Sequence, residues 1–187
     1  MTAKIAVIVG SLRKDSVNRQ FAQALAKLSR PKLDLHIVEI GDLPLYDQDL
    51  EAELPAAVVR FKHQIESADG VLFVTPEFNR SFSAALKNAI EWGSRPWGRN
   101  SWAGKPSAIV GATLGAVGTA AAQSQLRSVV SAIGSALTAQ PEIYLNFREG
   151  LIVDGEITDE SFVSLLQDWA GKFADWIRLL KAPALSF

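Results

Sequence analysis

The chain of 187 residues contains no cysteine. That excludes disulfides, thiolate nucleophiles, iron–sulfur clusters and cysteine-ligated zinc. Histidine is almost as scarce. The two present, His36 and His63, fall in a strand pattern and a helix pattern, and neither neighbours a carboxylate–serine set. There is no Gly-x-Ser-x-Gly elbow, so serine-hydrolase and metal-centre chemistry lack carriers. Charge of one sign is also missing: 19 basic and 20 acidic residues leave a net charge of −1. Neither nucleic acid nor a membrane surface is expected to be held by bulk charge. No apolar run approaches the roughly 20 residues of a membrane span. The start, Met-Thr-Ala-Lys-Ile-Ala-Val-Ile-Val-Gly, lacks the charged head and cleavage site of a signal peptide. The expected address is the cytoplasm, without membrane insertion.

What is present is an alternation of short apolar runs and longer helical patterns. Lys4–Val9, Leu33–Ile40, Gly70–Thr75 and Pro106–Ala112 read as strands, and Ala136–Leu145 holds a fifth. The third is apolar throughout, as a strand buried on both faces must be. Between them Asn18–Leu28, Pro55–Ser67, Ser83–Trp92 and Gly118–Ile133 read as helices. A last helix, about Asp159 to Lys181, carries Phe162, Leu166, Trp169, Phe173 and Ile177 at core-stripe spacing, with Thr158 as N-cap. Five strands alternating with five helices imply an α/β fold: a parallel sheet covered on both faces, in one domain over residues 1–187.

In such a sheet ligands bind beyond the carboxyl ends of the strands. Three loops there have unusual compositions. The first, Gly10 to Arg19, leads a buried strand into a helix N-terminus and supplies Ser11, Ser16, Asn18 and the cations Arg13, Lys14 and Arg19. Free N–H groups at a helix start together with a bidentate guanidinium suit a phosphate. A solvated helix start capped by Ser16 or Asn18 is the plain alternative. The loop is neither a Walker A sequence nor a Rossmann fingerprint, since Gly-Lys-Ser/Thr is absent and only Gly10 is there. The second loop, Thr75-Pro76-Glu77-Phe78-Asn79-Arg80-Ser81, reads as a rigid turn. Phe78 there suits the edge of a flat ligand, although a bare turn into a helix would look the same. The third, Gly111 to Thr119, has three glycines that let the backbone approach a ligand, or that merely form a tight packing turn.

At these loops the sequence resembles the NADPH-dependent FMN reductase family, which includes quinone, chromate and ferric-complex reductases. The resemblance runs from about Lys4 to Glu142. It is carried by Gly-Ser-Leu-Arg-Lys-Asp-Ser-Val-Asn-Arg (10–19), Thr-Pro-Glu-Phe-Asn (75–79), Leu-Lys-Asn-Ala-Ile-Glu-Trp (86–92), Gly-Lys-Pro (104–106) and the glycine loop at 111–118. It implies a flavodoxin-like three-layer sandwich with strand order 2-1-3-4-5. It implies FMN phosphate held by Ser11, Arg13, Ser16, Val17 and Asn18, and a flavin ring contacted by Pro76, Glu77, Phe78, Asn79, Thr113, Leu114 and Gly115. Where the family usually has Pro-Glu-Tyr-Asn, this chain has Phe78; Arg80 stands where an aromatic is often found.

The resemblance further implies a homodimer or homotetramer with the flavin near a subunit contact. The Trp97–Trp102 segment and the helix Ser83–Trp92 are candidate contact surfaces. The activity implied is ping-pong hydride transfer from NADPH or NADH to FMN, then to a small-molecule acceptor such as a quinone, chromate, a ferric complex or an azo dye. The bound flavin carries the chemistry, with no catalytic side chain and no metal. Arg80, Arg95 and Arg99 are candidates to attract NADPH phosphates or an anionic acceptor, with a solvated surface or a subunit contact as their alternative. A flavodoxin-type electron carrier is the rival function; a net charge of −1 offers little of the acidic docking surface that carriers rely on.

Overall fold

The computed structural model describes residues 2–182. Strands β1 (Ala3–Val9), β2 (Leu33–Val38), β3 (Gly70–Thr75) and β4 (Pro106–Thr113) alternate with helices α1 (Val17–Leu28), α2 (Ala56–Glu66) and α3 (Ala84–Ser94). After β4 come α4 (Ala120–Ala132), β5 (Ala136–Leu137), β6 (Ile143–Asn146), a small hairpin of β7 (Ile152–Val153) and β8 (Glu156–Ile157), and α5 (Glu160–Lys181). A 3-10 turn, Gln48–Glu51, interrupts the loop after β2. The main sheet is parallel with order β2-β1-β3-β4-β5, as the resemblance implied. Helices cover both faces. On one, Phe21 and Leu25 of α1 and Trp169, Phe173 and Ile177 of α5 bury Val7, Val74 and Val110. On the other, Phe61, Leu86, Ile90, Trp92 and Leu126 bury Ile8, Phe73 and Ile109. Alternate residues of each strand serve opposite layers, which is why these strands are apolar throughout.

The fifth strand is not one strand. β5 pairs with the start of β4 and β6 with its end. Between them lie Gln140 and Pro141, and proline has no N–H to donate to a ladder. The hairpin was not expected, although its Asp154-Gly155 corner, at φ 52° and 75°, uses a favoured hairpin dipeptide. The cap of α5 is Asp159, whose carboxylate accepts from Phe162 N–H at 3.1 Å, and not Thr158, whose hydroxyl donates to Gly150 O.

The connection between α3 and β4 splits the pair of tryptophans expected together at a surface. Trp97 is 88% exposed, whereas Trp102 is fully buried and donates through Nε1 to Ile90 O at 2.9 Å. The buried Lys62 amine holds this connection, donating to Gly93 O, Arg99 O and Ser101 Oγ at 3.2, 2.8 and 2.8 Å. Burial pushes that amine's pKa down, opposed in part by Glu66.

Gly93, in the last turn of α3, lies against the Trp102 ring, where a Cβ would collide. Glycine-to-alanine in a helix normally stabilises by about 1 kcal/mol. Here overpacking, at about 1–3 kcal/mol, outweighs that gain. Gly93→Ala is therefore expected to lower the urea midpoint; a raised midpoint would show that Trp102 yields freely.

Candidate functional site

Because β1, β3 and β4 are neighbours, the loops at their carboxyl ends stand side by side. Gly10 anchors the first: its N–H donates to Val74 O at 2.8 Å and its carbonyl accepts from Ser83 Oγ, the cap of α3. A Cβ on Gly10 would lie 2.9 Å from Ser83 Oγ and 3.1 Å from Pro76 Cδ, so the crossing of loop and helix requires glycine. Ser11 is half-buried and Leu12 to Asp15 are exposed. Ser16 is buried and caps α1, its hydroxyl oxygen accepting from Arg19 N–H. The backbone N–H groups of Val17 and Asn18 have no acceptor among the described residues, the orphan donors of a helix start. Asn18's side chain is committed elsewhere. Its Oδ1 accepts from Ala112 N–H at 2.9 Å and its Nδ2 donates to Ala112 O at 2.8 Å, so the buried amide is turned to β4 while its backbone N–H stays without an acceptor among the described residues.

The second loop closes on itself. Phe78 N–H donates to Ser81 O at 2.9 Å and Ser81 N–H returns to Phe78 O at 3.0 Å. Asn79 and Arg80, at the corner, have φ of 50° and 65°. Asparagine tolerates this region and arginine does so at a cost, which marks a constrained site. Gln125 holds the turn from α4, donating to Arg80 O and accepting from Ser81 Oγ, both at 2.7 Å. Phe78 is 71% exposed. The Arg80 side chain is also exposed, 3.6 Å from Glu77 Oε1.

Glu77 joins the second loop to the third. Its Oε2 accepts from Ala121 and Ala122 N–H at 3.1 and 3.3 Å, so a buried carboxylate neutralises the amino end of α4. Thr119, the residue that begins that helix, sits at φ 75° and makes no side-chain cap, so Glu77 does the capping from 44 residues away. Behind the loop, Thr119 Oγ1 and Thr75 O crowd Gly111 so closely that no Cβ fits. Thr113 is half-buried, its Oγ1 accepting from Gly115 N–H at 3.2 Å, while Leu114 to Val117 are exposed. Asn146 at the end of β6 donates to Gly115 O at 2.8 Å. Ser83, Gln125 and Asn146 were not singled out from sequence; each acts through a backbone group far along the chain, and only Ser83, three residues before Leu86 at a helix start, carried a local capping signal.

Arg95 and Arg99 are not part of this constellation. α3 starts at Ser83 beside Gly10 and runs away from the site for 11 residues, about 16 Å. Arg95 follows its far end, stacked over Trp97 with the guanidinium carbon 6.0 Å from the ring centre and its Nε 3.9 Å from Glu51 Oε1. There a groove of about 770 Å³ runs between α3 and α4, with Ile90, Arg95, Trp97 and Ile133 among its walls. Of the three arginines, only Arg80 stands beside the carboxyl-end loops. Among the described residues no cluster of three acidic or histidine side chains could hold a metal, and no helix is long and apolar enough to cross a membrane.

Sheet order, helix-start donors beside the β1–β3 switch point and a glycine loop after β4 together define a flavodoxin-like α/β domain. Comparisons with known proteins then place the chain. The NADPH-dependent FMN reductase family profile matches residues 3–149. A 2-hydroxy-1,4-benzoquinone reductase of a Burkholderia species is 49% identical over 179 residues, spanning 95% of this chain and 98% of its own. The solved structure of FerB, a flavoenzyme NAD(P)H:(acceptor) oxidoreductase from Paracoccus denitrificans, superposes with a TM-score of 0.92 at 42% identity, covering 95% and 98% of the two chains. A WrbA-like flavodoxin from Agrobacterium tumefaciens shares the fold at TM-score 0.62 and 17% identity, covering 96% of this chain and all of its own. The chain belongs to the NADPH-dependent FMN reductase family. It is an NAD(P)H-dependent reductase with FMN as its cofactor.

Glu77→Ala would leave the Ala121 and Ala122 amides without their acceptor. Loss of one charged hydrogen bond costs about 1.5–3 kcal/mol. The expected result is a lower urea midpoint at unchanged m-value, with Glu77→Gln, which still accepts, falling less. Equal losses in the two variants would remove the carboxylate from this role.

Proposed function

We propose that the three loops hold FMN and that the enzyme transfers electrons from NAD(P)H to quinone-type acceptors in two half-reactions at one open face. The residues fit the cofactor. The Val17 and Asn18 amides, the Ser11 and Ser16 hydroxyls and the exposed Arg13 meet the needs of a terminal phosphate. Pro76, Glu77, Phe78 and Asn79 form one wall for the ring, with Thr113, Leu114 and Gly115 at its polar end. Glu77 serves that wall from behind through α4. When bound, FMN supplies the redox chemistry, taking a hydride from NAD(P)H and passing two electrons to the acceptor. The protein's share is to bind, to orient and to offer N–H donors where charge develops.

The observation that carries the acceptor class is the apolar character of the rim. Phe78, Leu114 and Val117 are all large and exposed on the loops that would flank the ring. A flat, largely apolar acceptor suits such a rim better than chromate does. Relatives named as quinone reductases support the reading. Arg80, exposed, with its backbone fixed by Gln125 and its guanidinium 3.6 Å from Glu77, is the cation at the rim for nucleotide phosphate.

Stopped-flow reduction of the FMN-loaded protein by NADPH and by NADH, then reoxidation by benzoquinones, chromate, ferric chelates and azo dyes, tests this directly. Quinones are expected to reoxidise it fastest. Flavin left oxidised by both nucleotides would establish the electron-carrier alternative instead. Arg13→Ala should weaken FMN binding by about 1.5–3 kcal/mol, the scale of a charge-assisted bond; unchanged quenching titrations would take Arg13 out of the phosphate site.

We also infer a cytoplasmic homodimer or homotetramer. Trp97, exposed and stacked by Arg95 beside the α3–α4 groove, is the anchor that supports it. In that arrangement Arg95 and Arg99 reach a flavin only on a partner subunit. Trp97→Ser is expected to lower the mass seen by light scattering, and an unchanged mass would assign the groove another role.

A further inference from the structure

The glycine loop is polarised. Four of its carbonyls are occupied from within the protein: Thr113 O accepts from Phe147 N–H at 2.8 Å, Leu114 O and Gly115 O from Asn146 Nδ2 at 3.4 and 2.8 Å, and Val117 O from Ala120 N–H at 3.1 Å. The amides of Leu114, Ala116 and Val117, by contrast, have no acceptor among the described residues. Two contacts hold the Gly115 carbonyl: Asn146 Nδ2 at 2.8 Å and, across a turn, the Gly118 N–H at 3.3 Å; the shorter one comes from β6. In a trans peptide the C=O of one residue and the N–H of the next point in opposite directions. Drawing the Gly115 carbonyl onto Asn146 therefore turns the Ala116 N–H away from β6, out of the loop. Without Asn146 only the longer Gly118 contact would hold this peptide, beside a glycine with little torsional restraint of its own.

We propose that Asn146 is a positioning residue for the redox reaction: by holding the Leu114 and Gly115 carbonyls, it aims the Ala116 amide at the pyrimidine end of bound FMN and so favours the reduced cofactor. This rests on the FMN site proposed above. Reduction by hydride adds negative charge to that end of the ring. A preorganised N–H donor aimed there binds the reduced form more strongly than the oxidised form. Asn146 suits the task because it sits at the last position of β6, in register with Thr113, where the loop departs. It is exposed and belongs to neither buried cluster, so its removal should spare the fold. Aspartate in its place could not donate and would repel both carbonyls.

The test is the midpoint potential of bound FMN, measured anaerobically in the wild type and in Asn146→Ala, beside the Kd of oxidised FMN from fluorescence quenching. Asn146→Leu, of similar size and without a donor, is the second variant should the first be unstable. The expected result is about a tenfold loss in affinity for reduced FMN beyond any loss for the oxidised form. For a two-electron couple that is a fall of about 30 mV. Backbone hydrogen exchange at residues 114–117 should quicken in the same variants. An unchanged potential, or equal weakening of both redox forms, would reduce Asn146 to a structural clamp and overturn the proposal. If the wild-type protein itself fails to bind FMN, the cofactor site is at fault, and the potential comparison is replaced by that result.

Discussion

The side-chain amide of Asn18 bonds both backbone groups of Ala112, a residue 94 positions away. Its location explains why so much depends on it. Pairing between β3 and β4 stops at Thr75 and Gly111, and the next residue of β3's chain is Pro76, which cannot donate. Asn18 supplies a donor and an acceptor to β4 one residue beyond the point where its strand neighbour has turned away. An apolar side chain there would leave buried backbone groups unpaired at about 1–3 kcal/mol each. The same bond fixes the first turn of α1 over the sheet, and with it the height of the Val17 and Asn18 amides above Gly10. The phosphate-side loop and the glycine loop are thus held in one frame by a side chain at the end of the first that bonds the strand leading into the other.

A second tie completes the frame. Glu77 reaches from the loop after β3 to the start of α4, so the wall that would flank a flat ligand cannot move independently of the glycine loop. On the reading proposed above the cofactor supplies the redox chemistry, in a chain where histidine is scarce and cysteine absent. What the chain contributes is oriented backbone, and backbone N–H groups carry their dipoles at every pH. Arg80, paired with Glu77 at 3.6 Å, is set at the rim of the site and not under it.

Much of this was legible in residue order. Apolar runs of β-branched residues marked β1 to β4, and the three unusual loops follow strands that the sheet order makes neighbours. What stayed hidden has a common cause. Asn18, Glu77 and Asn146 form their bonds with backbone groups between 31 and 94 residues away, so no local pattern announces them. Asn18 looked like a cap because polar residues at helix starts usually are; Ser16 alone caps. The fifth strand was blurred by the apolar character of residues 136–145, and the proline that divides it was the available clue. The arginines of the α3–β4 connection looked like partners of Arg80 because sequence distance conceals the length of a helix. Trp97 and Trp102 differ in fate for a reason no periodicity encodes: the Lys62 amine draws Ser101 and the backbone around it inward, and Trp102 follows while Trp97 does not.

The corner at Asn79 and Arg80 separates the placement of a side chain from its identity. Its shape is fixed by the Phe78–Ser81 pair and by Gln125, all acting through groups other than the Arg80 guanidinium. Position 80 is therefore a mounting point on the edge of the site whose geometry survives a change of residue. An aromatic, an amide or a cation can be presented there at the same height and angle. On the reading proposed above, exchange at this one position retunes which nucleotide or oxidant is favoured and leaves the loops around it and the core intact.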